Sequence, residues 1–203
     1  MTKIKFCGLK RKADIEAANA LKPDYIGFVF AKDSRRYISP ENAAVLKSRL
    51  SPEISAVGVF VNERPECIAS LLDDGVIDLA QLHGDEDEAY IDRLKGLTGK
   101  PLVKAFRITS SSDAMKSSAS SADMILLDSG TGSGRTFNWQ LIKEIRRPYF
   151  LAGGLDPVNV SDAVRLLHPW AVDVSSSIET DGLKDIEKMA AFAAAVRKTF
   201  KES

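Results

Sequence analysis

Two residues of different chemistry, Cys7 and Asp128, each close a short run of apolar residues, KIKFC at 3–7 and DMILLD at 123–128. A thiolate accepts a proton, and a carboxyl group in an apolar mouth can donate one, so the two delivered to a shared cavity would make a base and an acid. A neighbouring cation would lower the thiol from about 8.5 and raise its thiolate fraction; Arg35 and Arg36 follow the run YIGFVF at 25–30. His83 closes IDLAQLH at 77–83, Arg107 follows PLVKAF at 101–106, Gly153 and Gly154 end YFLAG at 149–153, and Ser175, Ser176 and Ser177 end WAVDVS at 170–175. Glycines that admit a ligand close to the backbone, N–H groups at the start of a helix and small hydroxyl side chains are the parts of a phosphate site. LAGGL and VDVSSS together therefore point to an anion. Each residue alone has a plainer use: an aspartate ending a strand caps a loop, a Gly-Gly pair makes a tight turn, and a free cysteine such as Cys67 in PECIASLL fills apolar space.

The elements that must position these groups follow from the hydrophobic period. With ISAVGVFV at 54–61, the runs above make eight strand-like segments. Between them lie stretches with apolar residues three and four apart: DIEAANAL, ENAAVLKSRL, ECIASLL, EAYIDRL, WQLIKEI, VNVSDAVRLL and DIEKMAAFAAAVRKTF. Ser39 before Pro40 and Asp156 before Pro157 pair a capping side chain with a proline at the first helical position. The fifth helix, in RITSSSDAMKSSASSAD, is the weakest, because serine competes with the helical backbone for hydrogen bonds. Strands buried on both faces and alternating with helices predict a parallel sheet. Eight such units fit a single-domain α/β fold over residues 1–203, a (β/α)8 TIM barrel of eight parallel strands. An open doubly wound sheet often carries a GxGxxG turn after its first strand, and FCGLKRK has one glycine. In a barrel, chemistry gathers at the carboxyl ends of the strands, where the candidate site residues named above fall.

Composition narrows the partners. The chain has 203 residues, 44% hydrophobic and 28% charged, with 28 basic against 28 acidic side chains, so no charge excess points to nucleic acid. No apolar run approaches the roughly 20 residues of a spanning helix, and MTKIKFCG lacks a secretory h-region, which predicts a cytoplasmic protein with two free thiols and no membrane partner. Lys5 and Asp173 are charged residues inside apolar strands; by period two Lys5 shares the face of Cys7, and Asp173 that of Ser175. Strands one and eight become neighbours on closure, so the pair is expected to form a buried ion pair beneath the site.

The pieces KFCGL (5–9), FVFAKDSRRYIS (28–39), QLHGDE (81–86), LLDSGTGSGRTFNW (126–139), LAGGLDPVNV (151–160) and DVSSSIETDGLKD (173–185) span nearly the whole chain in order. In them the sequence resembles the phosphoribosylanthranilate isomerases of tryptophan biosynthesis. That resemblance implies an Amadori rearrangement of N-(5-phosphoribosyl)anthranilate, a small-molecule substrate, no metal, no organic cofactor and no obligatory protein partner. It implies Cys7 as general base at C2 of the ribose, Asp128 as general acid at the ring oxygen and Arg36 as holder of the anthranilate carboxylate. His83 is expected to contact substrate, and Gly153, Gly154, Ser175 and Ser176 to hold phosphate. Ser177 departs from the family's DVSSG pattern, where glycine is usual. The glycine-rich SGTGSGRTF is suited to close over the substrate. Two other readings stand beside this one. One is a different phosphosugar barrel, such as an indoleglycerol-phosphate synthase relative or an epimerase, the latter wanting a His and Asp metal cluster that His83 and His168 scarcely furnish. The other is a barrel that binds a phosphosugar without turning it over.

Overall fold

In the computed structural model, which describes residues 1–128 and 138–199, eight strands form a closed parallel barrel in sequential order. They are β1 (Lys3–Cys7), β2 (Tyr25–Val29), β3 (Ser55–Phe60), β4 (Leu79–Leu82), β5 (Leu102–Arg107), β6 (Met124–Asp128), β7 (Tyr149–Leu151) and β8 (Ala171–Val174). Closure is made by β1 on β8, in a register that sets Lys5 opposite Asp173. Helices α1 (Lys12–Leu21), α2 (Pro40–Lys47), α3 (Pro65–Asp73), α4 (Glu88–Leu97), α5 (Ser111–Ala119), α6 (Val160–Leu167) and α7 (Ile186–Lys198) follow the strands, and a short hairpin of β9 (Glu179–Thr180) and β10 (Leu183–Lys184) is inserted before α7.

The period of two sorts the strand side chains into two cores. Outward residues such as Phe6, Ile26 and Phe28 are fully buried against the helices, with Phe6 meeting Phe192 of α7 edge-on at 6.5 Å. Each such side chain contributes roughly 1.5–3 kcal/mol by leaving water. Inward residues Tyr25, Val57, Leu79, Val103, Leu126, Phe150 and Ala171 plug the lower barrel as a separate apolar cluster. Below the plug, Asp24, Asp78 and Asp123 each accept from a backbone N–H at the start of the neighbouring odd strand, at 2.9, 2.7 and 2.8 Å to Ile4, Ala56 and Leu102. These bonds pin the register of alternate strand pairs at the amino end, leaving the carboxyl end for side chains that do chemistry.

Several expectations about helices need adjusting. Ser39 caps α2 as predicted, accepting from Asn42 N, with Pro40 first in the helix. Serine does not defeat α5: Ser110 and Asp113 form a reciprocal capping box that turns its local hydrogen bonding into a helix start. Behind β6, WQLIKEI forms only a 3-10 turn, Trp139–Ile142. Asn138 accepting from Gln140 N tightens its first turn, and the residue before Pro148 is steered toward extended backbone. Asp156 caps a turn instead of α6 itself, accepting from Val158 and Asn159, and the helix proper begins at Val160. SGTGSGRTF, residues 129–137, lies outside the described residues.

Candidate active site

At the carboxyl end of the barrel a cavity of about 310 Å³ opens. Cys7 of β1 and Asp128 of β6 both line it, on walls separated by β7 and β8. Arg36, His83, Gly153, Gly154, Ser175 and Ser176 line the same cavity, so every expected site residue is brought together. Arg107, opposite Asp128 in the β5–β6 register, is exposed and does not line the cavity.

Lys5 forms the floor. Its side chain is fully buried, and Nζ donates to Asp173 Oδ1 at 3.0 Å, the ion pair predicted from the strand period, and to Gln81 Oε1 at 2.9 Å. Burial pulls the Lys5 ammonium down; Asp173 and Cys7 outweigh that pull and hold it above its ordinary value. Cys7 differs from expectation. Burial, with the Asp173 carboxylate adding to it, pushes its thiol up, and Lys5 and Lys184 are the foremost cations opposing the rise. Arg36 also interacts with the thiol electrostatically, and its fork is engaged: Nε and Nη2 grip Glu179 at 2.7 and 2.9 Å. Lys184 donates to the same carboxylate at 2.7 Å. Burial works against ionisation of Glu179 and is outweighed by these donors, which hold its carboxyl down at about 2. Two of the three guanidinium nitrogens of Arg36 are thus committed to orienting the fork before any ligand arrives.

The thiol needs space that a neighbouring side chain would fill. Cys7 pairs with Gly27 of β2, and a Cβ built on Gly27 would stand 2.7 Å from Sγ and 3.1 Å from the Cys7 Cα. We expect Gly27→Ala to displace the sulfur and lower kcat by about a hundredfold, as a misplacement near 1 Å can do. Unchanged kcat in a folded variant would mean that the thiol finds an equivalent seat.

Opposite, Gly153 and Gly154 take φ of 85° and 67°, a region open to glycine without strain, and Asn159 holds the Gly154 carbonyl at 2.8 Å. Ser176–Ile178 forms a 3-10 turn just beyond β8, the place where phosphate-binding barrels often carry a short extra helix. Ser175 Oγ donates to the Cys7 carbonyl at 3.0 Å, tying the loop to the strand that carries the thiol. Ser177, where glycine is usual, donates to the Leu155 carbonyl at 2.5 Å and so fastens the β8 loop to the β7 loop. Among the described residues, no cluster of three or more His, Cys, Asp or Glu side chains is placed to hold a metal ion.

Gln81, Glu179 and Lys184 belong to this constellation and were not singled out from the sequence. Gln81 carried a usable signal: a polar residue on the inward face of an apolar strand, two before His83. Glu179 and Lys184 sit in the β9–β10 hairpin, where no period marks a face.

A closed eight-stranded barrel with its cavity at the carboxyl rim is the architecture of the (β/α)8 enzymes. Comparison with known proteins narrows this further. The family model for N-(5'-phosphoribosyl)anthranilate isomerase matches residues 4–195, and the chain belongs to that family. The N-(5'-phosphoribosyl)anthranilate isomerase of Endomicrobium trichonymphae is 48% identical over 194 residues, covering 93% of this chain and 95% of its own. The phosphoribosyl anthranilate isomerase structure from Thermotoga maritima superposes with a TM-score of 0.90 at 34% identity, covering 98% of this chain and all of that one. Another structure of such an isomerase, in complex with reduced 1-(o-carboxyphenylamino)-1-deoxyribulose 5-phosphate, has a TM-score of 0.88 at 34% identity, with 98% of this chain and 100% of that chain covered.

Proposed function

We propose that this protein catalyses the isomerisation of N-(5'-phosphoribosyl)anthranilate in tryptophan biosynthesis, with Cys7 as base and Asp128 as acid. The observation that carries the reading is that these two side chains open into one cavity with a glycine-serine cradle suited to phosphate. Asp128 delivers a proton to the furanose ring oxygen. The C1–O bond breaks as the anthranilate nitrogen lone pair forms a C1=N bond, opening the ring to a cationic Schiff base. Cys7, as thiolate, removes the C2 proton, and the electrons of that bond form C1=C2 while the C=N pair returns to nitrogen. The resulting enol tautomerises to the 1-deoxyribulose phosphate. The route consists of proton transfers that two side chains supply, so it calls for neither metal nor organic cofactor.

Gly153, Gly154, Ser175 and Ser176 hold phosphate, and that remote binding energy orients the reacting carbons. Arg36 takes the anthranilate carboxylate with the edge of its fork that Glu179 leaves, and His83 contacts the sugar. Residues 1–203 act as one catalytic domain on a small-molecule substrate, with no nucleic acid, membrane or obligatory protein partner. No described helix is long and apolar enough to cross a membrane. We assign the enzyme to the cytoplasm, a reading supported by the two free thiols.

Freshly prepared phosphoribosylanthranilate should lose its anthranilate fluorescence on addition of the protein; a folded sample that leaves the signal unchanged overturns the assignment. Arg36→Met should raise KM about ten- to a hundredfold, the worth of a charged hydrogen bond, with a smaller effect on kcat. A variant with unaltered KM would show that the carboxylate is held elsewhere.

A further inference from the structure

Under the cavity a line of hydrogen bonds crosses the barrel, and its direction is dictated by its first member. The Lys5 ammonium has hydrogens to give and no lone pair to offer. Its Nζ stands 2.9 Å from the Gln81 side-chain oxygen and 3.0 Å from Asp173 Oδ1. Gln81 must therefore turn its carbonyl toward β1 and its NH2 away. That NH2 lies 2.8 Å from Nδ1 of His83. Two donors cannot face each other across such a distance, so Nδ1 is bare and the hydrogen of a neutral ring sits on Nε2. Burial pushes the imidazole down and keeps it neutral at physiological pH. The carboxylates of Asp128 and Asp173 pull the other way, and the Lys5 and Lys104 ammonium groups reinforce the burial. Nε2 lies 3.7 Å from Asp128 Oδ2, on the cavity that both residues line.

We propose that Lys5 and Gln81 are positioning residues for the isomerisation, and that through them His83 is locked as its Nε2–H tautomer, presenting a hydrogen-bond donor to the sugar oxygen beside Asp128. The proposal rests on the reading of Asp128 as the acid at the ring oxygen. A fixed N–H beside that oxygen stabilises the charge pattern of ring opening without having to reorient during the reaction. The opposite tautomer would aim a lone pair at the same oxygen and oppose it. Lys5 thereby acts on a group it does not touch, through the amide that its own lack of acceptors orients.

The tautomer can be read directly. With His168, exposed at the left-handed end of α6, replaced by Asn, His83 is the one histidine left in the chain. In that His168→Asn protein labelled with 15N-histidine, the couplings of the ring nitrogens to the ring carbon-bound hydrogens should show a neutral ring protonated on Nε2 near pH 7.5. Adding Gln81→Glu replaces the NH2 facing Nδ1 by a carboxylate oxygen of nearly the same shape. The ring should then carry its hydrogen on Nδ1, leaving Nε2 bare, and kcat should fall about ten- to a hundredfold while KM moves far less. A parent ring protonated on Nδ1 overturns the proposal, and that spectrum decides even if the Gln81→Glu protein fails to fold. So does a changed tautomer with kcat intact. The acid assignment fails separately, if Asp128→Asn turns over normally, and that result leaves the His83 spectrum unaltered.

Discussion

Cys7→Ala and Asp128→Asn are each expected to lose turnover by about 10²- to 10⁴-fold, the usual worth of one positioned base or acid, while circular dichroism and thermal unfolding stay near those of the parent. The fold should survive because neither side chain holds the barrel together. Cys7 belongs to a small satellite cluster with Val29 and Val59, apart from the main core, and Asp128 is partly exposed at the rim. The pH profile sharpens the test. Burial raises the thiol, so the thiolate needed as base is scarce in the ligand-free protein near neutrality. A base must be deprotonated to work, so the inflection of kcat/KM that Cys7 sets should lie above about 8.5, the ordinary thiol value. In Cys7→Ala that inflection should vanish. Near-parental rates in both variants would discard the acid–base assignment.

Lys104→Met should cost about 3–5 kcal/mol of stability, the penalty for leaving one member of a buried pair without its partner. Lys104 and Glu86 side chains are 6% and 1% exposed, with Nζ 2.8 Å from the carboxylate. Glu86 also accepts the backbone N–H groups of Asn62 and Gly84, at 2.7 and 2.9 Å, so one carboxylate joins the loop after β3 to the loop after β4. The same ammonium donates to the Gly84 carbonyl at 2.6 Å. In a protein of this length the loss should lower Tm by about 6–20 °C. Lys104→Met combined with Glu86→Gln, which removes both charges, should recover part of it. A single variant within about 1 kcal/mol of the parent in urea unfolding would show that Glu86 is held by its backbone donors alone.

Glu86 of QLHGDE thus serves the loops beside the site and not the chemistry, a distinction that the motif does not disclose. What the sequence did disclose rests on period. Inward and outward faces follow from alternation, so the shared cavity of Cys7 and Asp128 and the pairing of Lys5 with Asp173 were accessible from eight short runs. The cations beside the thiol were not. Arg36 is adjacent in the expected loop and its fork is held by Glu179, while the foremost cations acting on the sulfur are Lys5 and Lys184, the latter in a hairpin with no period to read. Length failed too: WQLIKEI has a helical spacing, but a tight cap and the approaching Pro148 leave it a single 3-10 turn.

The Lys5–Asp173 bond joins residues 168 positions apart in the chain. During synthesis at about 5–20 residues per second, the lysine has left the ribosome for many seconds before its carboxylate exists. Until β8 emerges, β1 is a strand lacking one neighbour and bearing a cation that cannot be buried without great cost, which discourages premature docking of the nascent sheet on itself. Closure of the ring therefore waits until β8 has emerged, and truncations ending before residue 173 should behave as unclosed, chaperone-dependent species.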